Sequence, residues 1–193
     1  VLPVVMNEGT KVVPFLEEEP KEYEATLKLG EETATDDWTG EVVSRQPWEG
    51  ILPETVHEAF RGFLGKVHQT PPMFSAIKVQ GRPLYRLARK GIEIERKERQ
   101  VTIFELSINE IRLPHVDFRV SCSKGTYIRT LAKDLGKKIG CGAHLLRLRR
   151  IRSGPFTLDR SISWETLQTL SKSAELGPWV IPLKEALKGL PEV

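Results

Sequence analysis

From Glu22 to Leu29 the chain reads EYEATLKL, with Tyr23, Ala25, Leu27 and Leu29 at every second position. That period belongs to a strand with one buried face. Val101 to Ile111 and Val116 to Cys122 predict two longer strands joined at Leu113-Pro114-His115, and a further strand is expected near Val42. The period changes in Thr126 to Ile139, where Ile128, Leu131, Leu135 and Ile139 form a helical stripe and Gly140 stands just beyond the end. A second helix is expected from Pro53-Glu54, because Val56, Phe60 and Phe63 share a face. Shorter helices are expected over Pro83 to Arg89, Trp164 to Leu170 and Leu183 to Leu187. Leu145 to Ile151 begins by alternating leucine and arginine, a strand with one apolar and one basic face. Gly30 opens the turn-rich loop ETATDDWTG. Hairpin-like strand neighbours with few βαβ units make the expected class α+β.

At 193 residues the chain can bury a real core, and 39% hydrophobic with 28% charged residues is ordinary for a globular protein. No apolar run approaches the length of a membrane span, and no signal-peptide pattern opens the chain. The first residues, Val1-Leu2-Pro3, suggest a fragment or a processed chain. Cys122 and Cys141 are too few for a disulfide framework, so two packed thiols in a reducing cytoplasm are expected. Cys141 and His144 offer at most half a zinc site, with His57, His68 and His115 scattered; no metal is expected.

The net charge of +3 conceals an asymmetry. Residues 1–65 hold 14 acidic and 5 basic side chains, whereas residues 121–160 hold 10 basic ones against Asp134 and Asp159. A local excess of that size fits a polyanionic partner or a solvated face.

Four segments carry candidate chemistry. Tyr23 begins its strand in Lys21-Glu22-Tyr23; it is either a core aromatic with a wet hydroxyl or a platform for an unstacked base. In PPMFSAIK, continued by Gly81, Tyr85 and Arg89, stiff prolines, aromatics and spaced cations such as Lys78 suit an arm fitting a nucleic-acid groove, or a surface loop with an amphipathic helix. In CSKGTYIR a strand enters a glycine turn and a helix start, so N–H groups, Lys124 and Arg129 converge where an anion could bind, without P-loop spacing. Arg129 could pair with a carboxylate there. In GAHLLRLRR one strand face is basic.

Together and in this order, these segments resemble the TruB-type pseudouridine synthases. The resemblance runs from VLPVVMNEGTKVVPF through KEYEATLKLGEETATDDWTG, PPMFSAIKVQGRPLYRLARKG and CSKGTYIRTLAKDLG to CGAHLLRLRR. It implies a mainly antiparallel mixed sheet flanked by helices, with a synthase body over 1–180, an RNA-clamping insertion at about 68–92, and the start of a C-terminal region at 181–193. It implies that Tyr23 stacks on the flipped target base, that Tyr127 and Leu148 line the uridine pocket, and that Arg129 pairs with a catalytic aspartate. Lys78, Tyr85 and Arg89 would clamp the RNA, and Lys124, Arg147, Arg149 and Arg150 would meet phosphates. Thr33-Ala34-Thr35 stands where relatives carry Thr-Asp-Thr, with Asp36 and Asp37 close behind. The family's nucleophile sits in a Gly-Thr-Leu-Asp-Pro motif that runs into the equivalent of Val1-Leu2-Pro3, so the aspartate is expected ahead of residue 1.

The implied activity is conversion of the T-loop uridine of tRNA to pseudouridine by a cytoplasmic monomer with no cofactor. Two rivals are a non-catalytic RNA-binding or RNA-chaperone module and an acidic-faced interaction protein using residues 1–65. The second leaves the basic block at 121–152 unexplained.

Overall fold

The computed structural model describes residues 1–17, 20–170 and 173–188. The chain opens with a 3-10 turn at Asn7–Val12 and α1 (Val13–Glu17), then enters β1 (Lys21–Leu29) and the small hairpin of β2 (Glu31–Thr33) and β3 (Val42–Arg45). α2 (Pro53–Arg61) leads to β4 (Gly65–Gln69), the two-residue strands β5 (Lys78–Val79) and β6 (Arg82–Pro83), and α3 (Leu84–Ala88). β7 (Arg99–Arg112) and β8 (His115–Cys122) precede α4 (Ile128–Ile139), β9 (Ala143–Ser153) and β10 (Phe156–Thr157); α5 (Trp164–Thr169) and α6 (Leu183–Ala186) follow. Six strands form one antiparallel sheet in the order β10-β9-β1-β8-β7-β4. The expected α+β class is borne out. Of the C-terminal region expected at 181–193, residues 189–193 lie outside the described residues.

Alternation along the strands separates two faces. Ala25, Leu27 and Leu29 of β1 are buried with Val116, Phe118 and Val120 of β8 and with Ile103 of β7. Against them lie Val56, Ala59 and Phe60 of α2 and Ile128, Leu131, Ala132 and Leu135 of α4. Each large apolar side chain buried this way stabilises by about 1.5–3 kcal/mol. Phe60 meets Phe118 edge to face at 5.5 Å, which fixes α2 across the middle of the sheet. The alternate positions carry charge. Glu22 on β1 receives Arg119 of β8 at 2.6 Å and Arg152 of β9 at 3.0 Å, and Asp117 accepts from Thr26 and from Arg112. These cross-strand pairs fix register, since a one-residue slip would drive them into the core.

β4 was not expected from the sequence: GKVHQ is short, and only Gln69 is buried. Its pairing with β7, from Gly65 opposite Ile103 to Gln69 opposite Arg99, sets it as the sheet edge. The expected join at Leu113-Pro114-His115 is tighter than predicted, because His115 already pairs with Arg112.

α4 packs close to β9. Gly140 caps it at φ 102°, the left-handed value that favours glycine, and Gly140 and Gly142 both donate to the Gly136 carbonyl. A Cβ at Gly136 would run into the Ala143 backbone. Gly136→Ala should therefore destabilise by about 1–3 kcal/mol or more, read as a lower urea midpoint; an unchanged midpoint contradicts this packing.

On α4, burial pushes the Asp134 carboxyl up to about 6; Lys133 and Lys137 oppose the rise, while Asp36 and Glu98 add to it. A raised carboxyl favours the fold while protonated, below about pH 4, and loses that benefit as pH rises through 6. Asp134→Asn should raise the melting temperature at pH 8 by about 2 °C and leave it unchanged at pH 4. Thermal melts at both values check this; a gain at pH 4 alone would reverse the sign.

Candidate functional site

The strand–turn–helix segment from Cys122 to Arg129 is pinned at both ends. Ser123 donates its N–H to Thr102 O at 2.9 Å and its hydroxyl accepts from Thr102 N at 2.9 Å. Thr126 Oγ1 donates to Ser123 O at 2.8 Å. Tyr127 precedes α4 in extended backbone, where no side chain caps the helix. The buried Gln69 of β4 takes over: its Oε1 accepts from Tyr127 N at 3.1 Å and its Nε2 donates to Tyr127 O at 3.4 Å. Arg129 thus leaves α4 from a fixed first turn.

The Arg129 guanidinium joins three segments. Nη2 donates to Phe74 O at 2.6 Å, and Nη1 donates to Thr35 O at 3.1 Å and lies 3.4 Å from Asp37 Oδ2. The carboxylate that Arg129 meets among the described residues is Asp37. Asp37 also organises its own loop, accepting Thr35 Oγ1 at 2.7 Å, Thr39 N at 3.0 Å and Thr39 Oγ1 at 2.5 Å. Burial pushes the Asp37 carboxyl up, but the bonds from Thr39 and Thr35 and the charge of Arg129 outweigh it and hold the pKa below the usual value. One residue earlier, Asp36 takes Lys133 Nζ at 2.9 Å. The loop also joins β9, with Trp38 N donating to Leu145 O and Leu145 N to Asp36 O, each at 3.0 Å.

Tyr23 is half-buried against the core. Burial and the nearby Cys122 sulfur push its hydroxyl pKa up, while the Arg150 guanidinium, hydrogen-bonded to it, partly counters the rise. Arg150 faces Tyr23 across the β1–β9 ladder, Leu148 faces Ala25, and Arg147 faces Thr26. Irregularities between Glu22 and Tyr23 and between Thr26 and Leu27 interrupt that ladder. The register from Tyr23–Arg150 to Thr26–Arg147 is unbroken, so the adjacent Arg149 and Arg150 take opposite sides of the strand: Arg150 goes to Tyr23 and donates to Val1 O at 2.8 Å, whereas Arg147 and Arg149 line a shallow depression of about 540 Å³ with Glu24, Thr26, Asp117 and Leu148. Tyr23, Tyr127 and Arg129 do not line it. Leu148 is 49% exposed.

In the expected arm, Gln80 (φ 50°) and Gly81 (φ 78°) turn the β5–β6 hairpin, which Leu84 and Leu87 anchor from below. Lys78 is exposed, and Arg89 lies over the Tyr85 ring at 5.6 Å. Lys124 is exposed on the turn before α4. Among the described residues no group of three or more His, Cys, Asp or Glu side chains is placed to hold a metal ion, and no helix is long and apolar enough to cross a membrane.

Residues 1–128 match the model of the TruB family pseudouridylate synthase N-terminal domain, and residues 129–188 that of the tRNA pseudouridylate synthase B C-terminal domain. The chain belongs to the TruB family. The two matches meet inside the first turn of α4, yet β1 and β9 pair across that boundary, so both halves of the TruB match build one sheet. The tRNA pseudouridine synthase B of Geobacter sulfurreducens is 50% identical over 97% of this chain and 62% of its own length. That of Clostridium tetani is 43% identical over 97% and 63%. The chain thus spans about 62% of the relatives' length. Among solved structures, a chain of a Cbf5-Nop10-Gar1 complex is similar with a TM-score of 0.70 and 28% identity, over 97% of this chain and 49% of that one. A chain of an H/ACA RNP bound to a substrate RNA shares the fold, with a TM-score of 0.64 and 22% identity.

Asp37 and Gln69 were missed as site residues. The Thr35–Asp37–Thr39 spacing carried a signal, since an aspartate between two threonines is suited to accept from both. Asp37→Ala should cost about 1–3 kcal/mol of stability at neutral pH, and Asp37→Asn less. Because the folded pKa is depressed, the benefit is present above the ordinary carboxylate range and is lost as pH falls through the folded value. Urea unfolding at pH 7 and at pH 3 reads both effects; an equal loss at the two values rules out the ionised role.

Proposed function

We propose that this chain forms the substrate side of a tRNA pseudouridine synthase that isomerises the T-loop uridine. The Arg129 junction carries the reading. It is a fixed guanidinium in the first turn of a helix, joined to a carboxylate loop and to the base of an arm. Membership of the TruB family supports the reaction class. The isomerisation breaks the C1′–N1 bond, turns the uracil and rejoins it through C5, with the C5 proton released to water. It needs no redox partner.

In this reading the target base leaves its stack, which costs a few kcal/mol, and stacking on Tyr23 offsets part at roughly 1–3 kcal/mol. The nucleophilic carboxylate comes from an aspartate outside the 193 residues, and Arg129 favours its ionised form while Asp37 holds the guanidinium in place. Tyr127 and Leu148 flank the uracil. Arg147, Arg149, Arg150 and Lys124 meet phosphates, and the arm with Lys78, Tyr85 and Arg89 closes on the T-stem and loop. The site belongs to a cytoplasmic monomer whose body spans 1–180.

The test is tritium release from tRNA carrying [5-³H]uridine. The full-length protein should release about one equivalent per tRNA, and Arg129→Ala should abolish release while tRNA affinity stays within a few-fold. The 193-residue chain alone should bind the T-arm weakly and release nothing. Full-length protein that binds tRNA without release would make it the RNA-binding or chaperone module instead.

A further inference from the structure

We propose that Trp38 is a second stacking platform, which holds an unpaired base beside the target nucleotide. The inference rests on the RNA-modifying reading above and adds a residue that the family resemblance did not assign.

Trp38 is presented rigidly. Its loop is closed by Ala34 N to Glu41 O at 2.9 Å and by Thr33 Oγ1 to Asp37 O at 2.6 Å. It is tied to β9 through Leu145 and to α4 through Lys133 and Arg129. Yet the indole on this hydrogen-bonded backbone is 67% exposed. Nearby Trp48, by contrast, packs on the core, against Gly30. A tryptophan offers the fold about 150–250 Å² of surface to bury, and most of that of Trp38 is left in water.

Its position is equally specific. Asp37, the preceding residue, meets Arg129. Leu145, its backbone partner, lies three residues before Leu148 on β9, about 10 Å along the strand. Lys133 and Arg147 are exposed or half-exposed cations on the same two elements. An exposed aromatic face on a hydrogen-bonded loop, with cations on the elements the loop joins, is an arrangement that single-stranded bases use. Of nearby apolar residues Val42, Val43 and Leu148 are also exposed, too little for the core of a protein interface.

The experiment measures binding of tRNA and of a T-arm stem-loop by the full-length protein with Trp38, Trp38→Ala or Trp38→Phe. Trp38→Ala should weaken binding about tenfold and Trp38→Phe no more than about threefold. The melting temperature and the dependence of binding on salt should stay unchanged, since no phosphate contact is lost. One abasic substitution in the loop, beside the target, should weaken wild-type binding and remove the further effect of Trp38→Ala. Equal binding by wild type and Trp38→Ala overturns the proposal, as does a loss that persists with every abasic RNA or follows a lowered melting temperature. Wild-type protein that binds neither RNA overturns the RNA reading itself, a result separate from the first.

Discussion

The arrangement depends on where one guanidinium can go. Arg129 is 22% exposed, too sheltered for water to satisfy its five donors, so protein acceptors must come to it. Phe74 O from one segment, and Thr35 O and the Asp37 carboxylate from another, do so. The planar fork sets directions as well as distances, which a lysine would not. One side chain thus places the Thr33–Glu41 loop and the base of the 71–89 arm relative to α4. The cost of sheltering the charge is met by a carboxylate that stays ionised because Thr35 and Thr39 also donate to it.

That junction is only as fixed as α4, and α4 is held by different physics. Its stripe of Ile128, Leu131 and Leu135 gives non-directional burial against the sheet, while Gly136 lets the β9 backbone approach closely enough to set the helix's height. Gln69 completes the N-terminal end by bonding both polar backbone groups of Tyr127. Burial chooses the face, glycine the distance, and the amide the end. β4, though marginal as a strand, is needed because it delivers that amide.

Periodicity made the main strands and α4 legible, since each buries one face and its apolar positions recur at 2 or at 3.6 residues. Gly140 marked the α4 end because only a left-handed cap stops a helix there without strain. β4 was invisible: five residues with one buried side chain carry no period. The alternating Leu/Arg run misled in one respect. It implied a single basic face, but Arg150 directly follows Arg149 and so takes the opposite side of the strand, which puts it with Tyr23 and leaves Arg147 and Arg149 with Glu24 and Asp117. Alternation predicts faces only while the residue types themselves alternate, and Arg149-Arg150 ends that within an unbroken register.

The loop after Gly30 shows why a departure from a family pattern can be harmless. Ala34 replaces an expected aspartate, yet its side chain is exposed and its contribution is the backbone N–H given to Glu41 O. Any residue but proline supplies that bond. The carboxylate that the loop requires stands three positions on, at Asp37, where its oxygens reach both threonines and Arg129. The Thr35–Asp37–Thr39 spacing pointed to Asp37 but not to its partner, because a polar turn has no period to assign a side chain a direction. The distinction lies in which way each side chain leaves the loop: Ala34 points to water, and Asp37 turns inward to the one cation that holds three segments together.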